Sequence, residues 1–157
     1  MATQYWLMKT EPKVYSIDDL ARDKKTYWDG VRNYQARNFM RDKMKKGDLV
    51  FFYHSNAEPP GIAGTAEIIK EGYPDPSAFD KKDVHYDPDS KSEKPVWYVV
   101  EIAFKEKFKE LLPLDQLKGI AGLKNMPLLQ RGQRLSVQPV SAAEWGVVTK
   151  IAGAKHG

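Results

Sequence analysis

The chain has 157 residues, enough for one domain whose core needs neither disulfides nor a metal. It contains no cysteine, which excludes thiol catalysis, disulfide scaffolds and cysteine-based zinc ribbons and points to a reducing compartment. The formal charge is only +4, but Arg32, Arg37, Arg41, Lys43, Lys45 and Lys46 crowd together with Asp42 as the one acid among them, while Asp75 to Asp89 is acidic, so a polyanion would meet one face.

In chain order, Tyr5 to Met8 reads as a short strand with Trp6 and Met8 on one face, ended by Pro12. Ser16 with Asp19 three residues on starts a short helix carrying Ile17, Leu20 and Ala21 that fades by Lys25. After the Trp28-Asp29-Gly30 turn, Asn33 can cap a helix with Ala36, Phe39, Met40 and Met44 on one face and Arg37, Arg41 and Lys45 on the other, stopped by Gly47. Leu49 to His54 is apolar on both faces and reads as a buried strand. A Pro-Gly turn leads to a strand over Ile62 to Ile69, antiparallel to it, in which Gly64 permits a bulge or a close backbone approach. Tyr73 to Pro95, charged and rich in proline, is a long excursion. Val96 to Phe104 alternates as a strand, Leu111 to Gly119 holds a short helix, Arg134 to Val140 is a strand, and Ser141 with Glu144 opens a C-terminal helix ending at Gly153. Five or six mostly sequential strands with three or four short helices predict an α+β fold with a curled sheet, because the alternating βαβ order of a doubly wound sheet is absent.

Most enzyme chemistries lack their residues. There is no Walker loop, no GxGxxG after a strand and no GxSxG elbow. His54, His85 and His156 show no metal-ligand spacing, so neither metal nor cofactor is expected. His54 beside Ser55 invites a nucleophile-and-base pairing, but strand neighbours point to opposite faces, and a hydrogen-bonded strand-end histidine is the plainer role. Asp29, Asp48, Glu67 and Glu101 lie near predicted strands or turns without diagnostic spacing; Glu101 fits a structural partner for Arg134 or a tyrosine. No catalytic residue is assigned.

Recognition of a single base has its residues. Bases are held by stacking on aromatic rings and by amide or hydroxyl bonds to their edges. Trp6 and Trp28 stand at element boundaries beside polar residues, whereas Trp97 and Trp145 read as core. Asn33, Asn38, Ser55, Asn56, Arg134 and Ser136 lie near element ends where side chains can converge. Asn33 serves equally as a helix cap or a base contact, and Arg32, Arg37 and Arg41 either meet phosphates or form a solvated face.

The segments YWLMKTEP (Tyr5 to Pro12), WDGVRNYQARNFMR (Trp28 to Arg41), GDLVFFYHSN (Gly47 to Asn56), YPDPSAFD (Tyr73 to Asp80) and LSVQPVSAAEW (Leu135 to Trp145) resemble the EVE domain family over nearly the whole chain. The resemblance implies a single domain over residues 1–157 with a PUA-like curled β-barrel flanked by short helices, akin in architecture to YTH and ASCH domains. It also implies a monomeric, non-catalytic reader of modified bases in DNA or RNA, of the methylated cytosine or adenine type. Such a protein would be cytoplasmic in a bacterium and nuclear in a eukaryote, with no membrane partner. On that pattern the base pocket would draw on Trp6, Trp28, Val31, Asn33, Tyr53, Ser55, Asn56, Leu135 and Ser136. The phosphates would fall to Arg32, Arg37, Asn38, Arg41, Lys45 and Arg134. The rival readings are an RNA-binding module without mark selectivity and, further off, a base-processing hydrolase.

Overall fold

In the computed structural model, residues 3–131 and 135–154 are described. Six strands build the frame: β1 (Tyr5–Thr10), β2 (Lys25–Tyr27), β3 (Leu49–His54), β4 (Gly61–Pro74), β5 (Tyr98–Pro113) and β6 (Val137–Val140). Among the described residues four α-helices accompany them: α1 (Ile17–Asp23), α2 (Tyr34–Asn38), α3 (Leu114–Lys118) and α4 (Ala142–Ala152). The fold is α+β, as the sequence predicts. The strands run in the order β2-β5-β4-β3-β1-β6, antiparallel except for the parallel β1–β3 pair.

The predicted barrel is corrected in one respect: the sheet is open. Closure requires every strand to be paired on both sides, and among the described residues nothing joins the three-residue β2 to the four-residue β6. Register shifts between β4 and β5 supply bulges, and bulges bend strands and deepen their twist. One shift lies between Ile62 and Gly64, where a Cβ on the glycine would run into the Glu106 carbonyl. Both readings of Gly64, bulge and close approach, hold together.

Helices cover both faces, so Trp6, Leu7 and Met8 in β1 are all buried despite their alternation. On one face Trp6, Met8, Phe52, Ile68 and Ile102 pack with Ile17 and Leu20 of α1, Ala36 of α2, and Met40 and Met44 beyond it. On the other, Leu7, Phe51, Ile62 and Phe108 pack with Leu117 of α3 and with Trp145 and Val148 of α4. Phe51 stacks on Trp145 with ring centroids 3.9 Å apart.

Both expected capping boxes form, Ser16 with Asp19 and Ser141 with Glu144. The helix predicted from Asn33 to Gly47 is α2 followed by one π-type turn over Phe39–Lys43, closed by Met44 N–H donating to the Phe39 carbonyl at 2.9 Å. Parallel pairing brings the C-terminal ends of β1 and β3 side by side, with Thr10 opposite His54. Ser55 N–H then donates to Thr10 O at 2.9 Å and Lys9 N–H to Ser136 O at 2.8 Å, so three chain segments converge at one rim.

Candidate functional site

At that rim a cleft of about 850 Å³ opens, within the usual range for small-ligand pockets. One wall is the end of β1 and the loop after it, with Lys9, Thr10, Glu11, Val14 and Tyr15. The facing wall runs from Thr26 to Arg32, and Ser55, Ser136 and His85 complete the lining.

The turn after β2 is held from below. Trp28 N–H donates to Val100 O at 2.8 Å. The Gly30 N–H and Arg32 Nη1 both donate to Asp75 Oδ2, at 2.9 and 3.0 Å, while Ser77 N–H and Oγ donate to Asp75 Oδ1 at 2.8 and 2.6 Å. Asp75 is fully buried. Burial pushes its carboxyl up, but the hydrogen bonds from Ser77, Gly30 and Arg32 outweigh that and hold it below the ordinary value. Arg32 also donates to His85 O at 2.6 Å, fixing the long excursion against the cleft, and lies over the Trp97 ring. Gly30 has φ of +77°, and a Cβ there would come within 2.6 Å of the His85 ring, so turn geometry and packing both require glycine.

Within the cleft, Trp28 is 8% exposed and meets Phe52 edge-on, whereas Tyr27 is 47% exposed. Asp29 is half-buried, and burial, then the neighbouring Asp75 carboxylate, raises its pKa. Asp29 in turn raises the Tyr27 phenol. Desolvation lowers the Lys9 ammonium, which sits over the Tyr53 ring. His54 accepts from the Ile17 N–H at 3.1 Å and burial lowers its pKa, so its neutral imidazole closes the start of α1.

Of the residues singled out in the sequence, Trp28, Val31, Arg32, Ser55 and Ser136 meet at this cleft, Trp28 and Val31 as buried members of the same core cluster as Trp6 that border it. Others lie elsewhere. Trp6 is buried in the core, its Nε1 donating to Asp48 Oδ2 at 3.0 Å, and Tyr53 is buried on the opposite face of the sheet. Asn33 caps α2 by accepting from Ala36 N–H, Asn56 donates to Glu11 at 2.6 Å, and Leu135 packs against the core. Arg37 donates to Val96 O and to Asn38 Oδ1, Arg41 grips both oxygens of Asp42, and Lys45 Nζ is 3.9 Å from Glu71. Glu101 accepts from the Tyr73 hydroxyl at 2.8 Å, the tyrosine alternative of the sequence reading. Arg134 lies outside the described residues.

No sequence pattern marks Tyr15, Tyr27 or His85 as site residues, and the pattern around Asp29 points only to an acid or base. β2 is too short to display a period, and nothing local ties His85 to Gly30. Among the described residues no group of three His, Asp or Glu side chains could hold a metal ion, and no helix is long and apolar enough to cross a membrane.

Residues 4–151 match the EVE domain family. Thymocyte nuclear protein 1 of Homo sapiens is 45% identical over 168 residues, covering 95% of this chain and 74% of that protein. A solved protein from Pseudomonas syringae is similar with a TM-score of 0.91 at 49% identity, covering 94% of this chain and 99% of its own. The human THYN1 protein in complex with 5-methylcytosine containing DNA matches with a TM-score of 0.89 at 44% identity, covering 98% and 99%.

Proposed function

The chain belongs to the EVE domain family, and from that premise we propose that it binds nucleic acid and reads a methylated base, of the cytosine type, in the Trp28 cleft without catalysing a reaction. The observation that carries the reading is the combination of aromatic side chains, Tyr15, Tyr27 and Trp28, with Asp29, Ser55 and Ser136 in one cleft large enough for a nucleobase. The complex of its human relative with 5-methylcytosine containing DNA supports the choice of base.

A base reaches such a cleft only from a single strand or by leaving the duplex stack. Stacking contributes roughly 1–3 kcal/mol per base, so the cleft alone binds weakly and phosphate contacts supply the rest. Arg41 and Lys45 suit that role because an exposed ion pair such as Arg41 with Asp42 is weak in water and a phosphate can replace its partner. Arg32 is different: its bond to a buried carboxylate commits it to holding the turn. The 5-methyl group adds about 0.8 kcal/mol of burial, roughly a fourfold preference, unless the walls also exclude the unmethylated base.

Fluorescence anisotropy with matched single-stranded DNA, duplex DNA and RNA, each with and without one 5-methylcytosine, tests this across a salt series. The methylated DNA should bind at least about fourfold tighter, and binding should weaken with salt. Equal affinity for methylated and unmethylated partners would overturn the reading.

A further inference from the structure

We infer that Asp29 is the residue that identifies the base, binding the amino-and-ring-nitrogen edge of a cytosine through a carboxyl group that shares one proton with ring nitrogen N3. This rests on the cleft being a base site, and it adds what the walls cannot supply, because every base has a stacking face.

Asp29 differs from the other acids in its surroundings. Asp75 accepts from Gly30, Arg32 and Ser77; Asp48 accepts from Gln4, Trp6 and Lys45; Glu11 accepts from Asn56 and Asp87 from Trp97. Among the described residues nothing beyond its own backbone N–H donates to the Asp29 carboxyl, although it is half-buried and lines the cleft beside Tyr27 and Trp28. A half-buried carboxyl with unspent hydrogen-bonding capacity needs a partner, and the open side is the cleft.

The surrounding charges decide which form faces a ligand. Burial, then Asp75 and Asp83, favour the protonated carboxyl, and His85 and the Asp29 backbone N–H oppose them. Arg32 and Tyr27 share its wall, while Glu11 and Tyr15 line the wall across the cleft and the Lys9 ammonium turns to the Tyr53 ring. Arg32 is paired with Asp75 at 3.0 Å.

A protonated carboxyl presents one donor and one acceptor. Cytosine presents the complement, an acceptor at N3 and a donor at the 4-amino group, whereas guanine presents two donors that suit an ionised carboxylate. One proton enters from solvent on binding and lies between the carboxyl oxygen and N3; the second oxygen accepts from the amino group, and no covalent bond between heavy atoms changes. The 5-methyl group lies off this edge, against the walls. Base identity and methylation are thus read by different parts of the cleft.

The test measures dissociation constants for single-stranded DNA carrying 5-methylcytosine, cytosine or guanine at one position, between about pH 5 and pH 8. Wild-type affinity for both cytosine oligonucleotides should rise as pH falls, by up to about tenfold per unit, because one proton is taken up. Asp29→Asn fixes the donor-and-acceptor pattern: it should bind as tightly as the acid-pH wild type, lose the pH slope and keep the methyl preference. Asp29→Ala should bind about tenfold more weakly at low pH. His85→Gln should retain the slope, and unchanged urea midpoints show that the variants fold. A slope that survives in Asp29→Asn, or undiminished binding by Asp29→Ala, overturns the inference while leaving the base-reading function standing. A wild type that binds none of these oligonucleotides overturns both.

Discussion

Replacing Asp75 by alanine should cost about 3–5 kcal/mol of folding stability and disable the cleft. The carboxylate is fully buried and receives four hydrogen bonds, from Gly30 N–H, Arg32 Nη1, Ser77 N–H and Ser77 Oγ, at 2.6–3.0 Å. At about 1.5–3 kcal/mol for each bond to a charged group, a naive sum exceeds the whole effect, because contacts that share one partner are not additive. The better measure is the removal of one member of a buried ion pair, which strands Arg32 with 23% of its side chain exposed. A domain stable by about 10 kcal/mol, the middle of the usual range, would survive the change but unfold at visibly lower urea. The sign of the pH dependence follows from the depressed carboxyl: its contribution is complete above the unfolded value near 3.9 and disappears as pH falls through the lower folded value. Urea unfolding followed by tryptophan fluorescence at neutral pH should show the full gap between wild type and Asp75→Ala, and acid unfolding should show that gap closing below about pH 4. A loss under about 1 kcal/mol at neutral pH, or a gap indifferent to acid, would refute the anchoring role of Asp75.

Tyr27→Ala removes a stacking ring that is 47% exposed, so DNA binding should weaken by about fivefold to a hundredfold while the urea midpoint barely moves. Arg41→Gln should lower the slope of log affinity against log salt by about 0.7 for single-stranded DNA if Arg41 meets a phosphate, and an unchanged slope would place it outside the interface. Gly30→Ala should cost about 1–2 kcal/mol from its left-handed φ alone, and the His85 ring resonances should shift in NMR spectra as the imidazole gives way to the added Cβ.

Local patterns in the chain carry most of the fold. Ser16–Asp19 and Ser141–Glu144 place the starts of α1 and α4 because a capping box is written in four consecutive residues, and Leu49 to His54 marks β3 through its unbroken apolar run. β2 escaped because three residues, Lys25–Tyr27, show no period and owe their pairing to β5 far along the chain. β4 and β5 outrun their predicted ends because charged residues interrupt the apolar alternation, Lys70 and Glu71 in β4 and Lys105 to Lys107, Lys109 and Glu110 in β5, so that Phe108 and Leu112 reach the core without a legible period. The cleft divides in the same way. Trp28, Val31 and Arg32 stand in one legible motif, but whether a tryptophan faces a cavity or the core depends on long-range packing: Trp6 bonds to Asp48, 42 residues away, and lies in the core. His85 and Asp75 join the site through contacts to Gly30 and Arg32 that no local spacing encodes.

In the proposed function, the methylated base sits in the cleft between the end of β1 and the Trp28 turn. An ¹H–¹⁵N NMR titration with a short single-stranded DNA carrying one 5-methylcytosine addresses it residue by residue. The largest shifts should fall at the Trp28 indole N–H and at the backbone N–H groups of Asp29, Gly30, Ser55 and Ser136, with smaller shifts when the methyl group is absent. Shifts confined to the α3 and α4 face, or identical for methylated and unmethylated DNA, would contradict it.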